Sequence, residues 1–282
     1  MTFSQITIVG TGLIGGSFAL AARKAGFRGR IVGCDREEVL ARAREMGAID
    51  GGSSDPGEAV AGSDLVLLAT PVGAILDFLK RVGPRLGPNV SVTDAGSTKA
   101  EIMTEARAVF GGNVAQRFLG GHPIAGKERS GIEEADADLF RGSVWLFTPA
   151  EGQELSAGRV GEFVALVEFI GASAVEIDAE RHDRLCAWTS HLPQMVSTAL
   201  AAALEEEFGD DPELRAIGGR ALREMTRIAA SPYSMWRDIA LTNSENIAEA
   251  LQRLEQRLAH LRENLRTPEL RAEFERGNRF WK

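Results

Sequence analysis

Along the first 178 residues, short apolar runs alternate with stretches of helical periodicity, a pattern that predicts a parallel sheet covered by helices on both faces. The runs read QITIVG, RIVGCD, LVLLATP, VSVTD, RFLGG, SVWLFTP and SAVEI. Helices are expected to begin near Gly15, Glu37, Gly73, Thr98 and Ala157, most of them with Gly or Pro close to an end. From Ala179 onward the β-branched runs disappear, and Ala, Leu, Glu and Arg recur every three or four residues. Residues 1–178 are therefore expected to form an α/β domain and residues 179–282 an all-α one, with the boundary inside EIDAERHD. A first helix from Ala179 to Phe208 would hold Pro193 in its interior and is expected to kink there, because the ring removes one backbone N–H.

Composition narrows the range of partners. A net charge of −8 without a Lys/Arg block argues against a nucleic-acid partner. No apolar run approaches the roughly 18 residues of a membrane span. The start, MTFSQITIVGTG, has no basic segment or small-residue cleavage site, so no membrane partner is expected and the chain reads as cytoplasmic. Cys34 and Cys186 lie in a strand-like and a helix-like run and are expected to pack as small hydrophobes. The four histidines show no metal-binding spacing, and no metal is expected.

The segment GTGLIG follows the first strand directly and opens an apolar helix. Gly10 permits the tight turn, Gly12 lets a pyrophosphate approach the backbone, and Gly15 allows helix and strand to pack closely. Backbone N–H groups at the helix start then face the negative charge. Gly10, Gly12, Leu13, Ile14 and Gly15 thus form the expected dinucleotide loop of a Rossmann-type domain. Asp35 ends the second strand twenty positions past Gly15, where a carboxylate suits the ribose hydroxyls of NAD and repels the 2′-phosphate of NADP. Arg36 beside it softens that preference, so NAD is the expected cofactor and NADP stays open. Thr70, Pro71 and Val72 end another strand at the same edge, either as a backbone wall against the cofactor or as a helix start with Pro71 in its first turn.

VTDAGSTKAEI ends a further strand there. Thr98 with Glu101 three residues on reads as a capping box, which leaves the Ser97 hydroxyl to meet a substrate oxygen or a catalytic imidazole. Asp94 is either a turn former or an orienting group for nearby donors. RFLGG then brings His122 to the carboxyl edge, held between Gly121 and Pro123. An imidazole titrating near neutral pH suits the acceptance of a hydroxyl proton as hydride leaves the same carbon. Lys127 and Glu128 either line that pocket and tune the histidine or are solvated loop charges. In the helical half, Asp183, Ala187, His191, Gln194 and Thr198 share one face, turned either to a cleft or to solvent. Arg223 and Arg227 lie four apart and face the same way; a guanidinium fork fits a carboxylate, and the alternative is an exposed pairing with Glu224.

Taken in order, GTGLIGGS, ATPV, DAGSTK, GGHPIAGKE, HDRL, WTSHLP, TRIAASPYSMWRDI and ENI make the chain similar to the TyrA dehydrogenases, the prephenate, arogenate and cyclohexadienyl dehydrogenases of tyrosine biosynthesis. The resemblance implies a Rossmann-type domain followed by a helical dimerisation domain, with the active site between them. It implies oxidative decarboxylation of a small-molecule substrate, prephenate or arogenate: hydride leaves ring C4 for the nicotinamide while the ring carboxylate departs as CO2. It implies that Arg227 holds a substrate carboxylate, that His191 and the residues after it line the substrate pocket, and that the chain is a homodimer. Where many members read S-H-L-P-H, this chain has Gln194, which leaves the choice of substrate side chain open, and Arg220 and Ala221 alter a glycine-rich stretch. Leu251, Leu254, Leu258 and Leu261 recur at helical spacing, as a dimerising helix requires.

Two other readings fit part of the pattern. A β-hydroxyacid dehydrogenase or imine reductase shares the two-part layout, but that class relies on a lysine in the helical domain and residues 179–208 contain none. The third reading is a non-catalytic, NAD-responsive regulator.

Overall fold

The computed structural model describes residues 3–127 and 129–281. Among the described residues eight strands form one sheet: β1 (Gln5–Val9), β2 (Arg30–Cys34), β3 (Gly51–Gly52), β4 (Leu65–Leu68), β5 (Ser91–Asp94), β6 (Phe118–Ile124), β7 (Val144–Thr148) and β8 (Ser173–Glu176). Their order is β3-β2-β1-β4-β5-β6-β7-β8. Every pairing is parallel except β6 with β7, which is antiparallel. Helices in this part are α1 (Leu13–Lys24), α2 (Glu37–Glu45), α3 (Pro56–Ala59), α4 (Val72–Arg81), α5 (Ala100–Phe110), α6 (Val114–Arg117) and α7 (Gly158–Phe169).

The seven apolar runs all become strands, and their side chains separate into two cores by the two-residue period of a strand. Ile6, Ile8, Leu65 and Leu67 join Phe18, Trp145, Phe147 and Phe163 in one core. Val9, Val66 and Leu68 join Ile75, Leu79, Ile102 and Phe118 in the other. The strand without an apolar signature is β3, two glycines whose backbone pairs with Val32 and Gly33. A Cβ on Gly52 would lie 2.7 Å from the Gly33 carbonyl, so close backbone packing replaces side-chain burial there.

Strand order reverses between β1 and β4, which run parallel, and this places the glycine loop after β1 and Thr70-Pro71 after β4 on either side of a topological switch point. β6 does not end at Gly121: it continues to Ile124, with His122 paired to Leu146 of β7. β5 pairs with β6 only through Val92–Phe118 and Thr93–Leu119. His122 therefore overhangs the end of β5 and still reaches the carboxyl edge.

From Ala179 on, the chain is helical: α8 (Ala179–Cys186), α9 (Leu192–Phe208), α10 (Pro212–Ile217), α11 (Gly219–Thr226), α12 (Tyr233–Thr242), α13 (Ser244–Glu263) and α14 (Glu269–Trp281). The long helix expected over 179–208 is interrupted by a π-helical turn over 187–191, and Pro193 sits in the first turn of α9. Wider winding before the ring takes up the missing N–H and the crowding of its preceding turn. This half has a small core of Ala187, Ile239 and Ile247, while Ile217, Leu241, Phe274 and Trp281 stay exposed. Among the described residues no helix is long and apolar enough to cross a membrane.

Two carboxylates of the helical half cap helices of the sheet half. Asp183 accepts from the Lys99 and Ala100 N–H groups at the start of α5, at 2.7 and 2.9 Å. Asp238 accepts from the Gly73 N–H in the first turn of α4, at 2.9 Å. The capping box expected from Thr98 and Glu101 does not form; Thr98 Oγ1 instead meets Thr242 Oγ1 at 2.8 Å. A buried carboxylate brought in by the fold satisfies the orphan N–H groups better than a local hydroxyl.

Candidate active site

A cavity of about 360 Å³ opens at the switch point, between the sheet edge and the helical half. Gly12, Leu13 and Ile14, Thr70 to Val72, Ser97 and His122 line it from one side, and Ser231, Pro232, Met235 and Ile239 from the other. Eight of the candidate site residues thus meet in one place, while Gly10, Gly15, Asp35 and Arg36 do not line the cavity. Arg227, His191 and Gln194 do not line this cavity, and Glu128 lies outside the described residues.

The glycines have distinct tasks. Gly10 has φ 93°, and a Cβ there would lie 2.6 Å from the Ala69 carbonyl. A Cβ on Gly15 would lie 2.0 Å from the Gly10 carbonyl, which fixes how closely α1 packs on the loop. Gly12 meets nothing within 4 Å, so its missing side chain leaves room on the cavity side for a ligand. The first turn of α1 has neither an acidic residue nor a side-chain cap, so its N–H groups can receive an anion. Asp35 Oδ2 accepts from the Thr11 N–H at 2.9 Å and Oδ1 from the Arg36 N–H at 2.8 Å, which ties the end of β2 to the glycine loop. Loop, helix start and carboxylate together suit a dinucleotide.

His122 Nδ1 lies 2.8 Å from His182 Nε2, and His182 Nδ1 lies 2.7 Å from Asp183 Oδ1. A carboxylate only accepts, so His182 donates from Nδ1 and presents the Nε2 lone pair to His122. His122 then donates from Nδ1, leaving its Nε2 unprotonated. Burial foremost, then the charges of His182, Lys99 and His191, hold the His122 pKa well below its usual value, so the ring is neutral at pH 7. Lys99 and Asp94 form a fully buried ion pair beneath it. Asp94 also accepts from the N–H groups of Gly96 at 2.8 Å and Gly121 at 3.0 Å, so it orients donors around the site. The partner of the imidazole is thus His182; Ser97 shares the cavity wall with His122.

The polar face of the helical half turns inward from Asp183 to Gln194, while Thr198 at its end is exposed. Asp183, His191 and Gln194 are all buried. His191 Nδ1 lies 3.1 Å from Asn243 Nδ2, with its ring edge-on to Trp236. Both amide hydrogens of Gln194 are committed, to Thr198 Oγ1 at 3.2 Å and the Ile228 carbonyl at 2.9 Å. The latter bond anchors the 3-10 turn Arg227–Ala230, which leads straight into Ser231 and Pro232 of the cavity wall. Arg227 opens that turn, one residue past the end of α11, while Glu224 pairs with Arg220.

Burial takes His191 from 6.5 down to about 4, so the fold holds it neutral while the unfolded chain binds its proton first. Stability is therefore present above pH 6.5 and is lost as pH falls toward 4, by about 2 kcal/mol between pH 7 and pH 5 from this group. Urea unfolding at those two pH values should show that decline, and a His191→Asn variant should flatten it.

Comparison with known proteins agrees with this arrangement. Residues 18–175 match the prephenate dehydrogenase nucleotide-binding domain, and residues 178–276 match the prephenate dehydrogenase dimerization domain. The chain belongs to the prephenate dehydrogenase family. It is 35% identical over 258 residues to the prephenate dehydrogenase of Lactococcus lactis, covering 90% of this chain and 69% of that one. With the Bacillus subtilis prephenate dehydrogenase it shares 33% over 246 residues, 86% of this chain and 65% of that one, so it spans about two thirds of the length of these relatives. The solved structure of prephenate dehydrogenase from A. aeolicus, in complex with hydroxyphenyl propionate and NAD+, superposes with a TM-score of 0.87 at 32% identity, covering 100% of this chain and 96% of that one. The fold is the one expected for the family, a Rossmann-type sheet domain followed by helices.

Local pattern placed Gly12 to Ile14, Thr70 to Val72, Ser97 and His122 at the edge where the cavity opens, and of the two readings of Asp94 the orienting one is seen. Lys99, Asn243 and Asp238 were not anticipated. A lysine in a helix cap normally reads as solvated, and only the buried carboxylate five residues earlier hinted otherwise.

Proposed function

We propose that the chain oxidatively decarboxylates prephenate or arogenate in tyrosine biosynthesis, with NAD as the hydride acceptor bound at Gly10–Gly15, Asp35, Arg36 and Thr70–Val72. The observation that carries this reading is the imidazole of His122 in the wall of the cavity that also holds the glycine loop, with its Nδ1 on His182 and its Nε2 left as a base. His122 accepts the ring hydroxyl proton, which raises electron density at C4 as the hydride departs. Ser97 donates to the same substrate oxygen. Arg227 holds one of the two substrate carboxylates, and Glu128 belongs to the substrate side of the site. His191 and Gln194 support that side from beneath by fixing the Arg227 turn and the Trp236 ring.

The same reading divides the chain at 178/179, where Asp178 caps α8 through the N–H groups of Glu180 and Arg181. It takes the exposed apolar residues of the helical half as the contact of a homodimer, since that half has little core of its own. It places the enzyme in the cytoplasm, in keeping with two free, buried cysteines.

The experiment is direct. Purified protein with NAD and either substrate should produce NADH, and no turnover with both would reject the reading. Arg227→Lys should raise KM for the substrate roughly ten- to a hundredfold, the loss of a two-point charged hydrogen bond worth about 1.5–3 kcal/mol, with a smaller change in kcat. An unchanged KM would take Arg227 out of the carboxylate site.

A further inference from the structure

We propose that His122 Nδ1, His182 Nε2 and Cys186 Sγ form an inhibitory site for a zinc-class divalent ion. The three atoms come from two distant parts of the chain, β6 and one face of α8, where His182 and Cys186 lie four residues apart. All three lie within 4.8 Å of one another, with Nδ1 to Nε2 at 2.8 Å and Sγ to Nε2 at 3.6 Å. Tetrahedral zinc, with bonds of about 2.0–2.1 Å to nitrogen and about 2.3 Å to sulfur, needs neighbouring ligand atoms roughly 3.3–3.6 Å apart. Of the three pairs, Sγ with His182 Nε2 already has that spacing, the two ring nitrogens reach it by parting when an ion replaces the proton they share, and Sγ with His122 Nδ1 lies within 4.8 Å.

The surroundings support the same assignment. Asp183 accepts from His182 Nδ1, the carboxylate–histidine arrangement that fixes the tautomer of metal-bound imidazoles. Two nitrogens and one sulfur select zinc, cobalt or cadmium over magnesium and calcium. The Lys99 ammonium close by opposes a cation, although Asp94 offsets part of its charge. That repulsion makes the site a reversible trap and not a resident metal centre.

Binding involves no redox change. Cys186 loses its thiol proton to solvent as the metal–sulfur bond forms, and the remaining proton of His122 moves from Nδ1 to Nε2. Because the ligand is the thiolate and its proton is released, affinity should rise with pH. With its Nε2 protonated, His122 can no longer accept a proton from substrate; the inhibition, unlike the binding, rests on the proposed role of His122.

Cobalt(II) is the probe for binding. Full-length protein titrated with it should develop one equivalent of near-ultraviolet thiolate-to-cobalt charge-transfer absorption, and Cys186→Ser should lose the band. In turnover assays zinc should inhibit, a chelator should restore the rate, and Cys186→Ser should work normally without metal but need more than about tenfold more zinc for the same inhibition. If Cys186→Ser folds poorly, Cys186→Ala serves the same comparison. Absence of the band in the unsubstituted protein, or equal zinc sensitivity in both forms, would overturn the proposal. Failure of turnover with prephenate and arogenate would leave the cobalt result to decide binding independently.

Discussion

Replacing His122 with asparagine is expected to lower kcat by about two to four orders of magnitude while leaving KM for NAD nearly unchanged. Asparagine is close in size and can still donate from the position of Nδ1 to His182, so the strand and the cavity wall survive the change. What it lacks is a nitrogen that can take a proton at the position of Nε2. The pH profile separates this role from a structural one. On the proposed role the active form is the neutral ring, and burial with the nearby His182 and Lys99 charges pushes its pKa well down from 6.5. The acid limb of kcat/KM in the unsubstituted enzyme should therefore lie below pH 6.5, because the ring stays neutral until the pH falls through its lowered pKa. In the variant that limb should vanish along with the rate. Wild-type turnover in His122→Asn would move proton acceptance to another group in the cavity.

How much of this was legible depended on whether a signal was local. The glycine loop could be read because Gly10, Gly12 and Gly15 each answer a steric demand set within one strand–turn–helix unit, and the space around their Cβ positions differs in the way those demands require. The strands could be read wherever apolar side chains marked them. β3 could not, since two glycines contribute backbone pairing alone. The start of α5 was misread for a related reason: Thr98 and Glu101 form a plausible local cap, but tertiary folding brings in Asp183 from 83 residues away, and the buried carboxylate wins. His122 and His182, 60 residues apart, show the same limit. His122 was visible as a candidate, and its pairing with His182 was not. The π-helical turn before Pro193 lies between these cases, because the proline fixed where the helix must change and packing chose how.

Asp183 is where those long-range links converge, and its substitutions should separate its two roles. It is buried and accepts three hydrogen bonds, from His182 Nδ1 and from the N–H groups of Lys99 and Ala100. Asp183→Ala orphans two helix-start donors and releases His182, and is expected to cost about 3–5 kcal/mol of stability, the range found when one partner of a buried charged network is removed. Asp183→Asn keeps the shape but replaces one acceptor oxygen by an N–H donor. If that amide takes the Oδ1 position and donates to His182 Nδ1, the bond from the Lys99 N–H is lost, and the ring must carry its proton on Nε2 and donate to His122 Nδ1. His122 then holds its own proton on Nε2, the position that must be empty for catalysis. The expected result is a fall in kcat of about two to four orders of magnitude, beyond what the change in melting temperature explains, with NAD binding retained. A variant with a lowered melting temperature and wild-type kcat would assign Asp183 to the junction of the two halves alone. Loss of kcat with stability intact would place the tautomer of His182 under its control, and through it the base at the cavity wall.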